Sequence, residues 1–275
     1  MNLHTDSGYD VLLHQLEKRC AGATFHYYPS PGNWGDALIN EGTRQFFDEN
    51  MLDCKVLARD WANQLKESAS LPGAPLAVVG GGGGWCRNWG STIRFVELLA
   101  SLYENVLVLP TTFDDEFGPL SLDNVIYFSR DKHISGNNIF YCPDMAFYLT
   151  VPDLKEAIID YPLLAFRRDK ERNSESPILD RNWDLSLLGD SWTSSSILFE
   201  IISRFKVIYT DRLHVSIAAA MIGREVKLLD GNYQKNRRVY SASMENNFAN
   251  VEFIEWLDFS ERKIVGRDPI GKSAY

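Results

Sequence analysis

Residues 207–235 read VIYTDRLHVSIAAAMIGREVKLLDGNYQK, and this stretch decides the fold of the chain. An apolar, β-branched run opens it and predicts a strand. Small apolar residues then predict a helix over Val215–Ile222, which Gly223 ends, and Val226–Leu229 predicts a second strand. A strand–helix–strand unit of this kind is typical of a parallel sheet in an α/β protein. The polar junction Thr210–His214 lies where the first strand gives way to the helix, and ligands bind at that edge of such sheets.

A second informative stretch, PSPGNWGDALINEGTRQFF, occupies residues 29–47. It follows a short run of residues with high β-propensity, Thr24–Tyr28, that predicts a strand. Its prolines and glycines predict a turn, and Asp36 is the expected N-cap of the helix that follows. A strand, a glycine loop and a helix N-terminus together present backbone N–H groups to an anion. A tight turn with a capping aspartate explains the same residues equally well.

Further strands are predicted along the chain, alternating with helices, at residues 76–79, 106–109, 125–128, 139–141 and 163–166. This alternation predicts a mixed α/β fold with largely parallel sheets. Pro110 is expected to end the strand before it. Gly80–Gly84 is predicted to let a ligand approach the backbone closely, or else to form a flexible turn. The glycines match neither the dinucleotide-binding nor the P-loop pattern.

The composition excludes some classes of partner. The net charge of −9 argues against a nucleic-acid partner, which needs a basic face. Four scattered cysteines without a CxxC pair predict neither a metal site nor disulfides, so a reducing, cytoplasmic location is expected. There is no signal-peptide pattern at the N-terminus, and no apolar run approaches the ~18 residues of a membrane span.

Cationic side chains recur at predicted strand ends although the chain as a whole is acidic. Arg130, Arg167 and Arg212 each follow a predicted strand. The guanidinium group suits bidentate capture of carboxylate or phosphate, so several of them predict a ligand that carries both groups. His214 lies at the same edge, and histidine is the side chain most often used in acid/base catalysis near neutral pH; a structural role is the alternative.

These motifs resemble those of the polysaccharide pyruvyltransferase family. TDRLHVSIAAAMIGREVKLLDGNYQK is similar to its C-terminal signature and PGNWGDALIN to its N-terminal G-N-x-G-D element. The segments between them also resemble family elements, in family order from about residue 25 to 240: Gly80–Gly84, LPTTF, SRD, Cys142-Pro143-Asp144 and FRRDKE. The serine that the family has after Arg130 is not in place, so Arg130 is left out of the predicted site.

The resemblance implies two Rossmann-like domains with parallel sheets facing a cleft, similar to GT-B glycosyltransferases. The N-terminal domain, residues 1–150, is expected on the acceptor side. The C-terminal domain, residues 151–260, is expected on the donor side, with a polar tail at 261–275. Phosphoenolpyruvate is the implied donor, and no cofactor is expected. The residues themselves predict no metal site, because His214 has no histidine or cysteine partner at ligand spacing and no acidic cluster resembles a DxD site. A sugar in a polysaccharide or a lipid-linked oligosaccharide is the implied acceptor. Because a lipid-linked acceptor lies at the membrane, the protein is expected in the cytoplasm and at the inner face of the membrane.

The resemblance also implies roles for residues of this sequence. His214 and Asp36 are the predicted catalytic residues, with acid and base duties that could be exchanged. The predicted substrate-binding residues are Arg212, Arg167, Asn33, Gly35, Gly82, Gly83, Leu213 and Lys235. Two other functions fit the same residues: a GT-B-type glycosyltransferase that uses a nucleotide sugar, and a sugar-binding module without catalysis.

Overall fold

The computed structural model describes residues 3–68, 72–86, 89–154 and 157–259. The predicted polar tail, residues 261–275, therefore lies outside the described residues.

Strands alternate with helices along much of the described chain, although β3 leads directly to β4, and β5, β6 and β7 follow one another without a helix between them. The strands are β1 Phe25–Tyr28, β2 Cys54–Val56, β3 Leu76–Val79, β4 Gly82–Trp85, β5 Asn105–Phe113, β6 Val125–Ser129, β7 Ile139–Tyr141, β8 Leu163–Ala165, β9 Val207–Thr210, β10 Glu225–Leu228 and β11 Val251–Phe253. The α-helices are α1 Ser7–Cys20, α2 Trp34–Glu49, α3 Arg59–Ser68, α4 Ser91–Leu102, α5 Ser195–Ser203, α6 Leu213–Met221 and α7 Lys235–Val239. Short 3-10 helices cover Leu3–Thr5, Met145–Tyr148 and Leu185–Leu188, and a π-helical turn covers Tyr240–Met244.

The strands form two parallel sheets, which confirms a mixed α/β fold with parallel sheets. The first sheet has the order β2-β1-β3-β5-β6-β7, and β4 follows β3 along the same side of β5. The second has the order β11-β10-β9-β8. The two sheets draw on separate parts of the chain, before and after residue 150. The domain limits at 150 and 260 stay a prediction.

Two predictions about the first sheet are wrong. Pro110 does not end a strand, because β5 continues through it to Phe113. The pairing of β5 with β6 shifts register between Val108 and Thr111, and an irregularity of this kind tolerates the missing proline N–H. The alternative of a flexible turn at Gly80–Gly84 is also wrong, since Gly82–Trp85 pairs with the far end of β5 as a strand; close approach of a ligand there stays a prediction.

Helix α2 holds the two halves of the fold together. On one side Trp34, Ala37 and Leu38 join the apolar cluster built around α5, α6 and the second sheet. On the other, Ile39 and Phe46 join the cluster built on the first sheet. Because the N-terminus of this helix carries Asp36, the packing of both halves fixes the position of that carboxylate.

No helix in the described part of the chain is both long and apolar enough to span a bilayer.

The contact between α2 and the 3-10 helix at Met145–Tyr148 depends on Gly42. A Cβ atom there would overlap the carbonyl oxygen of Met145, which is backbone and cannot swing away. Gly42→Ala should therefore lower the free energy of unfolding by about 1–3 kcal/mol, even though alanine is the better helix former. Denaturant unfolding measures this. Gly90→Ala, where a Cβ meets nothing within 4 Å, is the matched control. Equal stability of the two variants would contradict the close approach.

Candidate functional site

A cavity of about 490 Å³ lies at the carboxyl ends of strands from both sheets. Ser30 follows β1, Gly80 follows β3 and Arg130 follows β6, while Arg167 and Arg212 follow β8 and β9 closely. Residues from both sheets therefore share one cavity, as expected for polar residues at the carboxyl ends of parallel strands. The predicted site residues that line it are Asn33, Asp36, Gly83, Arg167, Arg212, Leu213, His214 and Lys235.

The N-terminus of α2 is a capping box, and it corrects the prediction for Asp36. Asn33, not Asp36, is the N-cap, and its side chain accepts the Gly35 N–H at 2.8 Å. Asp36 is the third residue of the helix and accepts the Asn33 N–H at 3.0 Å. This reciprocal arrangement satisfies two N–H groups that a helix start leaves unpaired. It fixes the Asp36 carboxylate at the cavity wall, where burial raises its pKa against the opposing effect of His214.

Buried Asn40, one turn further along α2, fixes the loop before the helix. Its side chain accepts the Ser30 N–H at 3.0 Å and donates to the Ser30 carbonyl oxygen at 2.9 Å. Tyr27 donates to the same amide at 3.1 Å. The N–H and carbonyl groups of Ser30 have no partner from a helix or a sheet, and the Asn40 amide supplies both. The loop is therefore held in one conformation where it meets the cavity.

The N-terminus of α6 brings Arg212 and His214 to the same cavity. Arg212 is the N-cap and has extended backbone angles, so the helix begins at Leu213, two residues earlier than predicted. The two side chains therefore do not follow ordinary helical spacing, and both reach the cavity. Leu213, a predicted binding residue, is 3% exposed and packs in the core cluster of the second sheet.

His214 lies between the first-sheet residues Arg130 and Asp144 on one side and Gly35 on the other. Its Nε2 is 3.3 Å from Asp144 Oδ2 and 3.4 Å from an Arg130 terminal nitrogen. A Cβ atom on Gly35 would lie 2.5 Å from Nδ1, so glycine is required there for the ring to pack against the start of α2. Gly35 thus acts by leaving room for the imidazole.

Arg130 and Asp144 form a buried ion pair beside the imidazole. The Arg130 terminal nitrogen lies 2.6 Å from Asp144 Oδ2, and both side chains are at most 1% exposed. Arg130 Nε also donates to Thr112 at 2.8 Å. Burial alone would raise the pKa of Asp144, but His214 and Arg130 hold it well below its ordinary value. The aspartate therefore stays ionised and orients both neighbours.

Arg212 is held by two carboxylates. Its Nε and one terminal nitrogen donate hydrogen bonds to the two carboxylate oxygens of Asp184, at 2.8 and 2.6 Å. The other terminal nitrogen lies 2.7 Å from Asp169 Oδ2. Asp169 also lies 3.6 Å from Arg167. One carboxylate thus bridges the two predicted donor-binding arginines at the cavity wall.

Glu171 is a second shared carboxylate. It pairs with Arg167 and, at 2.7 Å, with Lys235, and it accepts the Trp89 indole N–H at 2.6 Å. Burial alone would raise the pKa of Glu171, but Lys235 and Arg167 hold it below its ordinary range. Burial in turn lowers the pKa of the Lys235 ammonium against the pull of Glu171.

The glycine strand β4 leaves the cations uncovered. A Cβ on Gly83 would meet Lys235 Nζ at 3.4 Å and an Arg130 terminal nitrogen at 3.6 Å. Gly82 has a φ of +114° and faces Ile39 and the Asp36 carboxylate. A side chain on Gly83 would take the space beside both cations, and one on Gly82 would be strained, so the strand is bare where a ligand needs room.

Sequence reasoning missed Arg130, Asp144 and Glu171 as site residues. Arg130 is one of the arginines at predicted strand ends, but its incomplete motif argues against a place in the predicted site, and the structure shows it beside His214 and Asp144. The signals that could have found the other two are the Pro143-Asp144 pair and the alternating charges of Arg167, Asp169 and Glu171.

No group of three or more histidine, cysteine, aspartate or glutamate side chains suited to a metal ion occurs within the described ranges.

Removing the Glu171 charge should destabilise the fold. Glu171→Gln leaves two buried cations without their shared carboxylate, so the free energy of unfolding should fall by about 3 kcal/mol at neutral pH. Because the folded-state pKa of Glu171 lies below its unfolded value, its stabilisation is present above that unfolded value and is lost as the pH falls. The variant should therefore lose less stability on acidification. Denaturant unfolding at pH 7 and pH 4 tests both points, with exposed Glu175→Gln as control; unchanged stability of Glu171→Gln would refute them.

Comparison with known proteins gives two findings and one negative result. A crystal structure of an uncharacterized protein from Klebsiella pneumoniae subsp. pneumoniae superimposes with a TM-score of 0.72 at 24% identity, covering 89% of this chain and 97% of that one. This likeness concerns the fold. The comparison with curated proteins gives no significant match. The sequence profile of the family described as polysaccharide pyruvyl transferase matches residues 33–226, more than half of the 275 residues. The chain belongs to the polysaccharide pyruvyl transferase family.

Proposed function

We propose that the protein transfers the pyruvyl group of phosphoenolpyruvate to two hydroxyls of a sugar, forming a pyruvate ketal and releasing phosphate. The observation that carries this proposal is the shared cavity: Asp36 and His214 line it together with Arg130, Arg167 and Lys235. Family membership supports a pyruvyl transferase with a saccharide acceptor. The cavity brings acid/base groups and several cations together in one place.

The cations fit a donor with two anionic groups. Phosphoenolpyruvate carries a carboxylate and a phosphate, and each needs charged hydrogen-bond donors. Lys235 and Arg130 face bare Gly83, so one anionic group has access to both without a side chain in between. Arg167 and Arg212 face the cavity beside Asp169, and an anion there would compete with that carboxylate.

The reaction balances without an oxidant or reductant. A proton is added to the methylene carbon of the donor and gives C2 oxocarbenium character. One sugar hydroxyl attacks C2 and loses its proton. The C2–O bond to phosphate then breaks, and the second hydroxyl attacks and loses its proton. Of the two protons that leave the hydroxyls, one balances the new methyl group and the other the released phosphate.

His214 and Asp36 are suited to the proton transfers. Asp144 holds His214 Nε2 as a positioning residue, leaving the opposite edge of the ring toward α2 and Asp36. The raised pKa of Asp36 makes its carboxylate a stronger base for a sugar hydroxyl. We therefore assign protonation of the donor to His214 and activation of the acceptor to Asp36. Positioned proton transfer of this kind is worth about 10²–10⁴ in rate.

The placement of these groups also suits the two-domain, GT-B-like arrangement expected from the sequence. Asp36 belongs to the part of the chain that builds the first sheet, and Arg167 and Arg212 belong to the second. In this proposal the first side receives the sugar, free or lipid-linked at the inner face of the membrane. The second side holds the donor, together with cations such as Arg130 that reach the cavity from the first side. No cofactor enters the reaction.

The direct test is incubation of the protein with phosphoenolpyruvate and a panel of galactosides, glucosides and N-acetylmannosaminides. Phosphate release must coincide with a pyruvyl mass increase on one of the sugars. His214→Asn should reduce both signals by about 10²–10⁴ while the protein keeps its melting temperature. Near-wild-type turnover in this variant would contradict the role of His214. Transfer of a sugar from a nucleotide donor in place of pyruvyl transfer would contradict the whole proposal.

Donor identity is also testable without an acceptor. Phosphoenolpyruvate at ~100 times its dissociation constant should add about 2.7 kcal/mol to the free energy of unfolding, whereas a nucleoside diphosphate should not. Arg212→Lys should weaken this effect, because lysine cannot grip both Asp184 oxygens and the junction would shift. Arg94→Lys, on the exposed face of α4, is the control. Stabilisation by the nucleotide alone would favour the glycosyltransferase alternative.

A further inference from the structure

Arg59, the first residue of α3, differs from the other four cations that line the cavity. Those four, Arg130, Arg167, Arg212 and Lys235, each have a carboxylate partner. Within the described residues Arg59 forms no ion pair with a carboxylate, and its Nε is buried without a hydrogen-bond partner. Its guanidinium lies over the Phe95 ring, 4.8 Å from the centroid. No sequence motif pointed to this residue.

A partly buried guanidinium without a counterion is unfavourable unless something else compensates its charge. Burial lowers the pKa of Arg59, and Asp36 opposes this from beyond ion-pair distance. Arginine nevertheless stays protonated in proteins, so the charge remains in the cavity. The stacking on Phe95 holds the group in place but leaves its polar edge without an anion.

The surroundings of Arg59 suit a group with several oxygens. The same cavity is lined by Ser30, Ser91, Thr92 and Gly84. The hydroxyls of Ser30 and Ser91 already donate to the carbonyl oxygens of Gly81 and Trp89, at 2.6 and 3.5 Å, so the Thr92 hydroxyl is the one suited to donate to a ligand. A Cβ on Gly84 would lie 2.6 Å from the Thr92 hydroxyl oxygen, so glycine lets that hydroxyl approach the strand. A phosphate group has three terminal oxygens and accepts more donors than a carboxylate does.

We propose that Arg59 binds the phosphate group of the donor and stabilises it as it leaves. This inference rests on the proposed function and deepens it, because it assigns one end of the donor to one residue. The other anionic end, the carboxylate, then falls to the cations around Glu171 and Asp144. Two anionic groups on one small molecule thereby meet two separate groups of donors.

The test compares Arg59→Gln with wild type by calorimetric titration of the full-length protein with three probes: phosphoenolpyruvate, inorganic phosphate and pyruvate. The variant removes the charge but keeps polar N–H groups. Affinity for phosphoenolpyruvate and for inorganic phosphate should fall at least about tenfold, because hydrogen bonds to charged groups are lost. Affinity for pyruvate should stay within about twofold. Arg94→Gln, the same change on the exposed face of α4, should leave all three affinities unchanged.

A second variant separates binding from folding. Arg59→Lys keeps the charge and most of the stem, so it should fold and retain more affinity for phosphate than Arg59→Gln does. Unchanged phosphate affinity in either folded variant, or an equal loss for pyruvate, would overturn the assignment. If wild type binds inorganic phosphate through Arg59 but does not bind phosphoenolpyruvate, the proposed function fails and the phosphate subsite stands. If wild type and Arg59→Gln bind phosphoenolpyruvate equally, only the assignment of Arg59 fails.

Discussion

The buried carboxylate of Asp144 is the interaction on which the arrangement of the site depends. It is fully buried, yet it pairs with Arg130 at 2.6 Å, lies 3.3 Å from His214 and accepts the Ala146 N–H at 2.9 Å. An ionised group out of water costs several kcal/mol and is tolerated only when partners satisfy its oxygens. Because these partners come from the end of β6, from α6 and from a 3-10 helix, one carboxylate couples the edges of both sheets.

Steric fit supports this electrostatic coupling. Helix α2 packs on both halves of the fold, and Gly35 lets its first turn lie against the His214 ring. The same turn carries Asp36 in its capping box, so one helix start sets the distance between the two groups assigned to proton transfer. A displacement of α2 would move Asp36 and would remove the packing of its first turn against the His214 ring. The rigid loop that Asn40 holds opposes such a displacement.

The strands and the residues at their ends could be predicted from the sequence, but the side chains that pair with those residues could not. Alternating apolar runs predicted parallel sheets, and the D-R-L-H junction predicted an arginine and a histidine at a strand end, because these signals lie within a few residues of each other. The partner of His214 is 70 residues away and that of Arg212 is 28, so neither follows from local patterns. Strand β4 escaped prediction for a related reason: its glycines have poor strand propensity, and pairing with β5 compensates for that.

The chain has a net charge of −9, yet five cations line one cavity. Four of these cations pair with carboxylates, which compensate their charge when no ligand is bound. An anionic ligand that binds one of these cations would have to replace a carboxylate contact. The side chains of Asp144, Asp184 and Glu171 are at most 5% exposed, whereas Asp169 is 20% exposed. Ions nearer to water are released from their partners at lower cost, because solvent compensates for the lost contact. If an anion binds Arg212 as proposed, displacement of Asp169 is therefore the least costly way for it to reach the guanidinium.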